Sequence, residues 1–167
     1  MLYLIDGNNI IGGFGSLDPD LHKARKRLIG ELATFIAATK QKVRVVFDGA
    51  QDPDFPEGAR IKSVHVSYAK SGSDADHRIK DIVRRSTSPR DITVVSSDRE
   101  LVSSVAARGA KIVSSREFRH ELHTAREKLR LAEKINLSQK IDVDEWMEFF
   151  LEKKKKSLGS KSSTKVK

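Results

Sequence analysis

Short apolar runs alternate with longer amphipathic segments along the 167-residue chain, and this alternation predicts an α/β fold on a mostly parallel central sheet. Two observations carry the expectation. Runs of strand length recur between Gly, Asp, Ser and Pro boundaries. The stretches between them repeat their apolar residues at spacings of three and four, the period of a helix. A chain of this length is sized for one ordinary domain that folds without cross-links.

The first strand, Leu2 to Ile5, stops on Asp6, and Gly7, Asn8 and Asn9 behind it suggest a tight turn. A helix follows, with Asp18 as N-cap, Pro19 at its first position, and Leu21, Ala24, Leu28, Leu32 and Phe35 along one face. Lys23, Arg25, Lys26 and Arg27 crowd its first half, as a solvated face or as a contact for RNA backbone. The second strand is Val43 to Phe47, and the third is Ile61 to Val66. Residues 49 to 60 between them, "GAQDPDFPEGAR", form a loop long enough to border a site.

A helix from about Ala75 to Arg85 precedes the fourth strand, Ile92 to Val95, and another from about Arg99 to Ala107 follows it. After a fifth strand, Lys111 to Val113, Ser114 and Glu117 have the spacing of a capping box. The helix they start carries Phe118, Leu122, Ala125 and Leu129 in line and runs past Leu129. Beyond a break near Asn136, Val143, Trp146, Met147, Phe150 and Leu151 share one helical face, spaced as a packing stripe rather than a base-stacking platform. The expected organisation is a domain over residues 1–135, an amphipathic helix over 136–152 packing on or next to it, and a disordered basic tail over 153–167.

The net charge of +9 suggests nucleic acid, but it is unevenly placed. Lys153 to Lys156, Lys161, Lys165 and Lys167 supply seven of those charges, and residues 1–152 carry only +2. The tail reads as a phosphate-seeking appendage or as a plain solubilising terminus. With no cysteine in the chain, disulfides, thiolate metal sites and cysteine nucleophiles are excluded. A cytoplasmic protein is expected, with no signal segment and no apolar stretch near the ~20 residues of a membrane span.

Three strands end alike, "LYLID" on Asp6, "VVFD" on Asp48 and "VVSSD" on Asp98. Parallel strands bring their C-terminal ends to one edge, where open α/β sheets place ligands. A fourth acid comes from "SGSDADHRI": on a helical wheel Asp76 aligns with Val83, whereas Asp74 points away from that stripe. Each acid also has a structural use. Asp98 can cap the helix after it, Asp76 can pair with Ser73 in a capping box, and Asp6 and Asp48 can form turns.

Four carboxylates at one edge repel one another, and a divalent cation relieves the repulsion. All-oxygen ligands favour Mg²⁺ or Mn²⁺ over zinc, and a pair of such ions about 4 Å apart stabilises both the attacking and the leaving oxygen of a phosphodiester. Asn8, Ser73, Ser96 and Ser97 can donate to the same groups or hold turns and caps. No P-loop and no G-x-G-x-x-G fingerprint is present. His120 and His123 read as solvated, and His77 stands beside Asp76.

The segments "YLIDGNNII", "VVFDGA", "SDADHRI" and "VVSSDRELVSSVAARGAKIVSSREF" resemble the NYN-domain proteins of the PIN-like nuclease superfamily, most closely the YacP-like branch, over about residues 1 to 125. The resemblance implies a PIN-like three-layer α/β/α sandwich over the 1–135 domain and metal-dependent cleavage of RNA. It implies catalytic, metal-binding acids at the matching positions Asp6, Asp76 and Asp98, with Asp48 as a further metal-ligand candidate; beside it, the residues themselves offer Asn8, Ser97 and Arg78 as candidate substrate contacts. The branch also resembles a ribosome-associated endoribonuclease that cuts messenger RNA in the decoding site, which implies RNA and the ribosome as partners. Where the branch usually has Thr-Ala-Asp, this chain has Asp74-Ala75-Asp76, so both acids stay candidates. Two other classes remain. One is a non-catalytic RNA- or ribosome-binding module with a vestigial metal site, and the other is a phosphatase, for which the first strand lacks the second acid of a D-x-D.

Overall fold

The structure, a computed structural model, describes residues 1–13, 20–70 and 73–159, with side chains described for these except at 13, 138–146, 150 and 154–159. Six strands form one sheet: β1 (Leu2–Asp6), β2 (Lys42–Phe47), β3 (Arg60–Ile61), β4 (Val64–Tyr68), β5 (Ile92–Val95) and β6 (Lys111–Val113), in the order β3-β4-β2-β1-β5-β6. Every pairing is parallel except β3 with β4. The helices are α1 (Gly7–Gly13), α2 (Leu21–Thr39), α3 (Ala75–Arg85), α4 (Arg99–Ala106) and α5 (Ser115–Gly159). The chain divides into two compact units, Met1–Glu127, which contains the sheet, and Lys128–Lys167. Among the described residues no helix is long and apolar enough to cross a membrane.

Strand alternation sorts the core into two layers. Ile5, Val43, Val45, Phe47, Val64 and Val66 face α2 and the start of α5, where Leu28, Leu32, Phe35, Phe118, Leu122 and Ala125 meet them. Leu4, Val46, Ile92 and Val94 face the other way, onto Ala75, Ile79, Val83, Leu101 and Val105 of α3 and α4. This is the expected three-layer α/β/α arrangement. Covered over most of both faces, the central strands are rich in apolar residues, with Arg44 of β2 and His65 of β4 as exceptions, and each fully buried Leu, Ile or Val contributes about 1.5–3 kcal/mol.

β1 runs straight into α1 with no intervening turn, contrary to the sequence expectation. Asp6 Oδ1 accepts the Asn9 N–H at 3.1 Å and so starts a helix where "DGNN" suggests a turn. Gly7 is required by space: a Cβ there would lie 2.4 Å from the Phe47 ring and 2.9 Å from Val45 Cγ2. The N-cap of α2 is Asp20, which accepts the Lys23 N–H at 3.2 Å, while the expected pair Asp18 and Pro19 lies outside the described residues.

The third expected strand, Ile61 to Val66, is instead a hairpin. Lys62 and Ser63 take φ of 46° and 72°, the two left-handed residues a tight two-residue turn needs, and fold β3 back on β4. Without an Asn-Gly signal the alternating apolar residues resemble a single strand. The Ser114–Glu117 capping box forms, with the Ser114 N–H donating to Glu117 Oε2 at 2.9 Å and Ser114 Oγ accepting the Glu117 N–H at 3.2 Å.

α5 passes Asn136 without the expected break and extends through Lys153–Lys156 to Gly159, where disorder was expected; residues 160–167 lie outside the described residues. One Asn costs a helix under about 1 kcal/mol amid Leu, Ala, Glu and Lys, and lysines near a helix C-terminus oppose its negative dipole end. On the expected packing stripe Met147 and Leu151 are 56% and 58% exposed, and the side chains of Val143, Trp146 and Phe150 lie outside the described set.

Replacing Gly7 with Ala is expected to destabilise the protein by about 1–3 kcal/mol through overpacking against Phe47. Urea unfolding checks this as a lowered midpoint at constant slope. An unchanged midpoint would mean that the β1–α1 junction is looser than described.

Candidate metal and active site

By strand alternation Asp6 follows Leu4 to the α3 side of the sheet, and Asp48, just beyond β2, follows Val46 to the same side. Asp6 is 6% exposed. Its Oδ2 accepts the Ser96 hydroxyl at 3.3 Å, and Ser96 Oγ accepts the Asp98 N–H at 3.1 Å, so one buried serine ties the ends of β1 and β5 together. Asp98 caps α4 by accepting the Leu101 N–H at 2.8 Å. Asp48 Oδ1 accepts the N–H of Ala75, the first residue of α3.

Asp74 and Asp76 have different places. Asp74 is the N-cap of α3, accepting the His77 N–H at 2.8 Å, with its side chain 62% exposed and His77 Nδ1 3.1 Å from it. Asp76 lies half-buried in the first turn. Burial, then the carboxylates of Asp6 and Asp98 and more weakly Asp74, push its carboxyl up to about 6. Burial raises Asp6 too, aided by Asp48 and Asp98 and opposed by the Asn9 N–H and the Ser96 hydroxyl. Asp6, Asp48, Asp76 and Asp98 thus form one electrostatically coupled group on the α3 side of the strand ends.

Each of the expected substrate-contacting residues has a hydrogen-bond partner within the chain. Asn8 Oδ1 accepts the Asp48 N–H at 3.4 Å, and Ser97 Oγ accepts the Ser115 N–H at 3.1 Å. The Ser97 N–H donates to Asn9 Oδ1 at 3.2 Å, and Arg78 donates to Glu57 Oε1 at 3.2 Å. His120 and His123 are exposed. Arg25, grouped by sequence with solvated charges, is 3% exposed: it lies against the rings of Phe47 and Tyr68 and donates to the carbonyls of Asp48 at 2.6 Å and Ala50 at 3.0 Å. It therefore pins the backbone that carries Asp48. Its place in α2, three residues before the buried Leu28, is the sequence signal that it faces inward.

A second group was not evident in the sequence. His22 stands with Nδ1 2.7 Å from Asp52 Oδ2 and Nε2 3.5 Å from Asp54 Oδ2, and ligand atoms from all three lie within 4.8 Å of one another, close enough to hold a metal ion. Among the described residues, no other set of three or more His and acidic side chains gathers that tightly. Asp52-Pro53-Asp54 was the available signal, but its histidine lies thirty residues earlier. The Asp6, Asp48, Asp76 and Asp98 carboxylates do not gather that tightly.

The YacP-like NYN domain family matches residues 3–158. YacP of Bacillus subtilis (strain 168), described as uncharacterized, is 28% identical over 128 residues, 74% of this chain and 75% of that protein. The crystal structure of Rae1 (YacP) from Bacillus subtilis is similar with a TM-score of 0.70 at 24% identity, covering 99% of each chain. The crystal structure of a tryptophan-to-leucine mutant of Rae1 is similar with a TM-score of 0.67 at 28% identity, covering 81% of this chain and 83% of that one.

A carboxyl raised in the folded state contributes stability that is present below its unfolded pKa and lost as pH rises through about 6. The Asp76→Asn protein, free of divalent metal, is therefore expected to be more stable than the parent at pH 8, by about 1 kcal/mol once solvent screening of so exposed a group is allowed for. The gain disappears below about pH 4. Denaturant unfolding at the two pH values checks it, and a loss of stability at pH 8 would contradict the electrostatic coupling.

Proposed function

Because the chain belongs to the YacP-like NYN domain family, we propose that it is a cytoplasmic, divalent-metal-dependent endoribonuclease that hydrolyses RNA phosphodiester bonds. The observation that carries the reading is the placement of the Asp76 carboxyl in the combined field of Asp6 and Asp98 at the ends of β1 and β5. Asp6, Asp76 and Asp98 are the catalytic acids, and with Asp48 they are the metal-holding set. Bound Mg²⁺ or Mn²⁺ would supply an activated water and charge stabilisation at phosphorus.

The chain's own residues do the positioning. Ser96 fixes the spacing of Asp6 and Asp98, and Arg25 fixes the backbone of Asp48. Messenger RNA on the ribosome is the substrate setting that the resemblance implies. The His22, Asp52 and Asp54 group is a second place for an ion, outside the proposed catalytic set.

One observation favours a non-catalytic RNA- or ribosome-binding module. Asp6, Asp48 and Asp98 each accept a hydrogen bond from a helix N-terminal amide, a structural use that needs no catalysis. Asp76 separates the readings, since Asp74 already caps α3.

Purified protein is expected to cut labelled single-stranded RNA in Mg²⁺ or Mn²⁺ and not in EDTA. Loss of a residue that merely supports a metal ligand costs about 10–100-fold, so Asp76→Asn is expected to reduce cleavage by more than about a hundredfold. Cutting only when ribosomes are added would make the ribosome part of the substrate. Absence of cutting in either setting, with RNA still bound, would establish the binding module.

A further inference from the structure

On the α3 side of the sheet, α3 packs over β1 and β2, while β4 and β3 extend beyond it. There the register sets Arg60 of β3 opposite His65 of β4, and His65 beside Arg44 of β2. Directly opposed residues project to the same face, at a strand spacing of about 4.8 Å. Arg44 lies between Val43 and Val45 of the α2 layer, so this face is the α3 face. Arg78 reaches the row from α3, and its charge is felt at both Arg44 and His65.

Three guanidinium groups and an imidazole thus share one half-open surface with Glu57, which accepts from Arg78 at 3.2 Å. His65 Nδ1 and Arg78 Nε are buried without a hydrogen-bond partner. Burial and the neighbouring arginines depress both Arg44 and His65. Crowding guanidinium groups beside a shielded, unpartnered Arg78 Nε–H and an unpartnered imidazole nitrogen is unfavourable unless an anion enters, and guanidinium forks match phosphate oxygens.

The row leads to the carboxylates. Arg44 precedes Asp48 by four residues, about 13 Å along the strand direction, and it pairs with Leu4, two residues before Asp6. We propose that Arg44, Arg60, His65 and Arg78 form a subsite for backbone phosphates of single-stranded RNA, holding the strand whose neighbouring phosphodiester reaches the Asp6 group. This rests on the reading of that group as a nuclease centre.

The test is fluorescence anisotropy of the full chain with a labelled 20-nucleotide single-stranded RNA in EDTA, so that binding is read without cleavage, across a salt series. Arg60→Glu is the principal variant because Arg60 is exposed on a two-residue edge strand, and Arg44→Gln is the second. Each lost phosphate contact lowers the slope of log K against log salt by about 0.7, so the variants are expected to lose about 0.7 each and to bind about 5–20-fold more weakly at low salt. Arg108→Glu, the same charge reversal on an exposed residue beyond the C-terminal end of α4, is the control and is expected to bind within about twofold of the parent.

Equal losses in Arg60→Glu and Arg108→Glu would overturn the subsite in favour of diffuse attraction. Parental affinity and slope in Arg60→Glu and Arg44→Gln would overturn it as well. A row-dependent slope in a protein that never cleaves RNA would uphold the subsite and remove the nuclease. Cleavage with row-independent binding would do the reverse.

Discussion

Parallel strands bring every strand C-terminus and the N-terminus of every following helix to one edge of the sheet, and the rest of this structure depends on that constraint. Here the edge gathers four carboxylates and the first turns of α3 and α4. Helix N-termini tolerate negative charge, which is why Asp48 and Asp98 can sit there with their oxygens on backbone amides. Asp76 has the less favourable place, since its neighbours across the crevice are themselves acids. The fold therefore retains a concentration of negative charge, only partly offset by Lys80, that a divalent cation would neutralise.

The same edge explains how the site is kept rigid. Buried Ser96 bonds to both the β1 and β5 ends, and Arg25 reaches from α2 to hold the turn after β2. Each linkage joins elements far apart in sequence, so the spacing of the acids is set by the core rather than by local loops. Arg25 illustrates the cost of such precision: its terminal nitrogens find the carbonyls of Ala50 and Asp48 and its guanidinium lies against Phe47 and Tyr68, but its Nε is buried without a hydrogen-bond partner.

Sequence revealed what depends on period and parity. The α/β class and the gathering of Asp6, Asp48 and Asp98 at or just beyond the strand ends follow from alternation and parity, and the structure has the same features, with Asp98 three residues past β5 as the N-cap of α4 and Asp76 half-buried in the first turn of α3. Sequence misled where a local signal was weak or had two uses. Asp-Gly-Asn-Asn suggests a turn, yet Asp6 begins a helix because its carboxylate meets the Asn9 amide. Lys62-Ser63 lacks the usual glycine or asparagine, so the hairpin was hidden. The continuity of α5 past Asn136 reflects summed propensity, which outweighs one unfavourable residue. Contacts distant in sequence, such as His22 with Asp52 or Arg44 beside His65, depend on register that no short window contains.

The proposed function requires that the carboxylates at the sheet edge, rather than the tighter His22, Asp52 and Asp54 group, hold the functional cation. Substoichiometric Mn²⁺ added to ¹⁵N-labelled protein tests it directly, because a paramagnetic ion broadens the amides nearest to it. Gly7, Gly49, Asp76 and Asp98 are expected to broaden first, and Asp76→Asn to weaken the effect. Broadening centred on His22 and Asp54, with the Asp6 edge untouched, would contradict it.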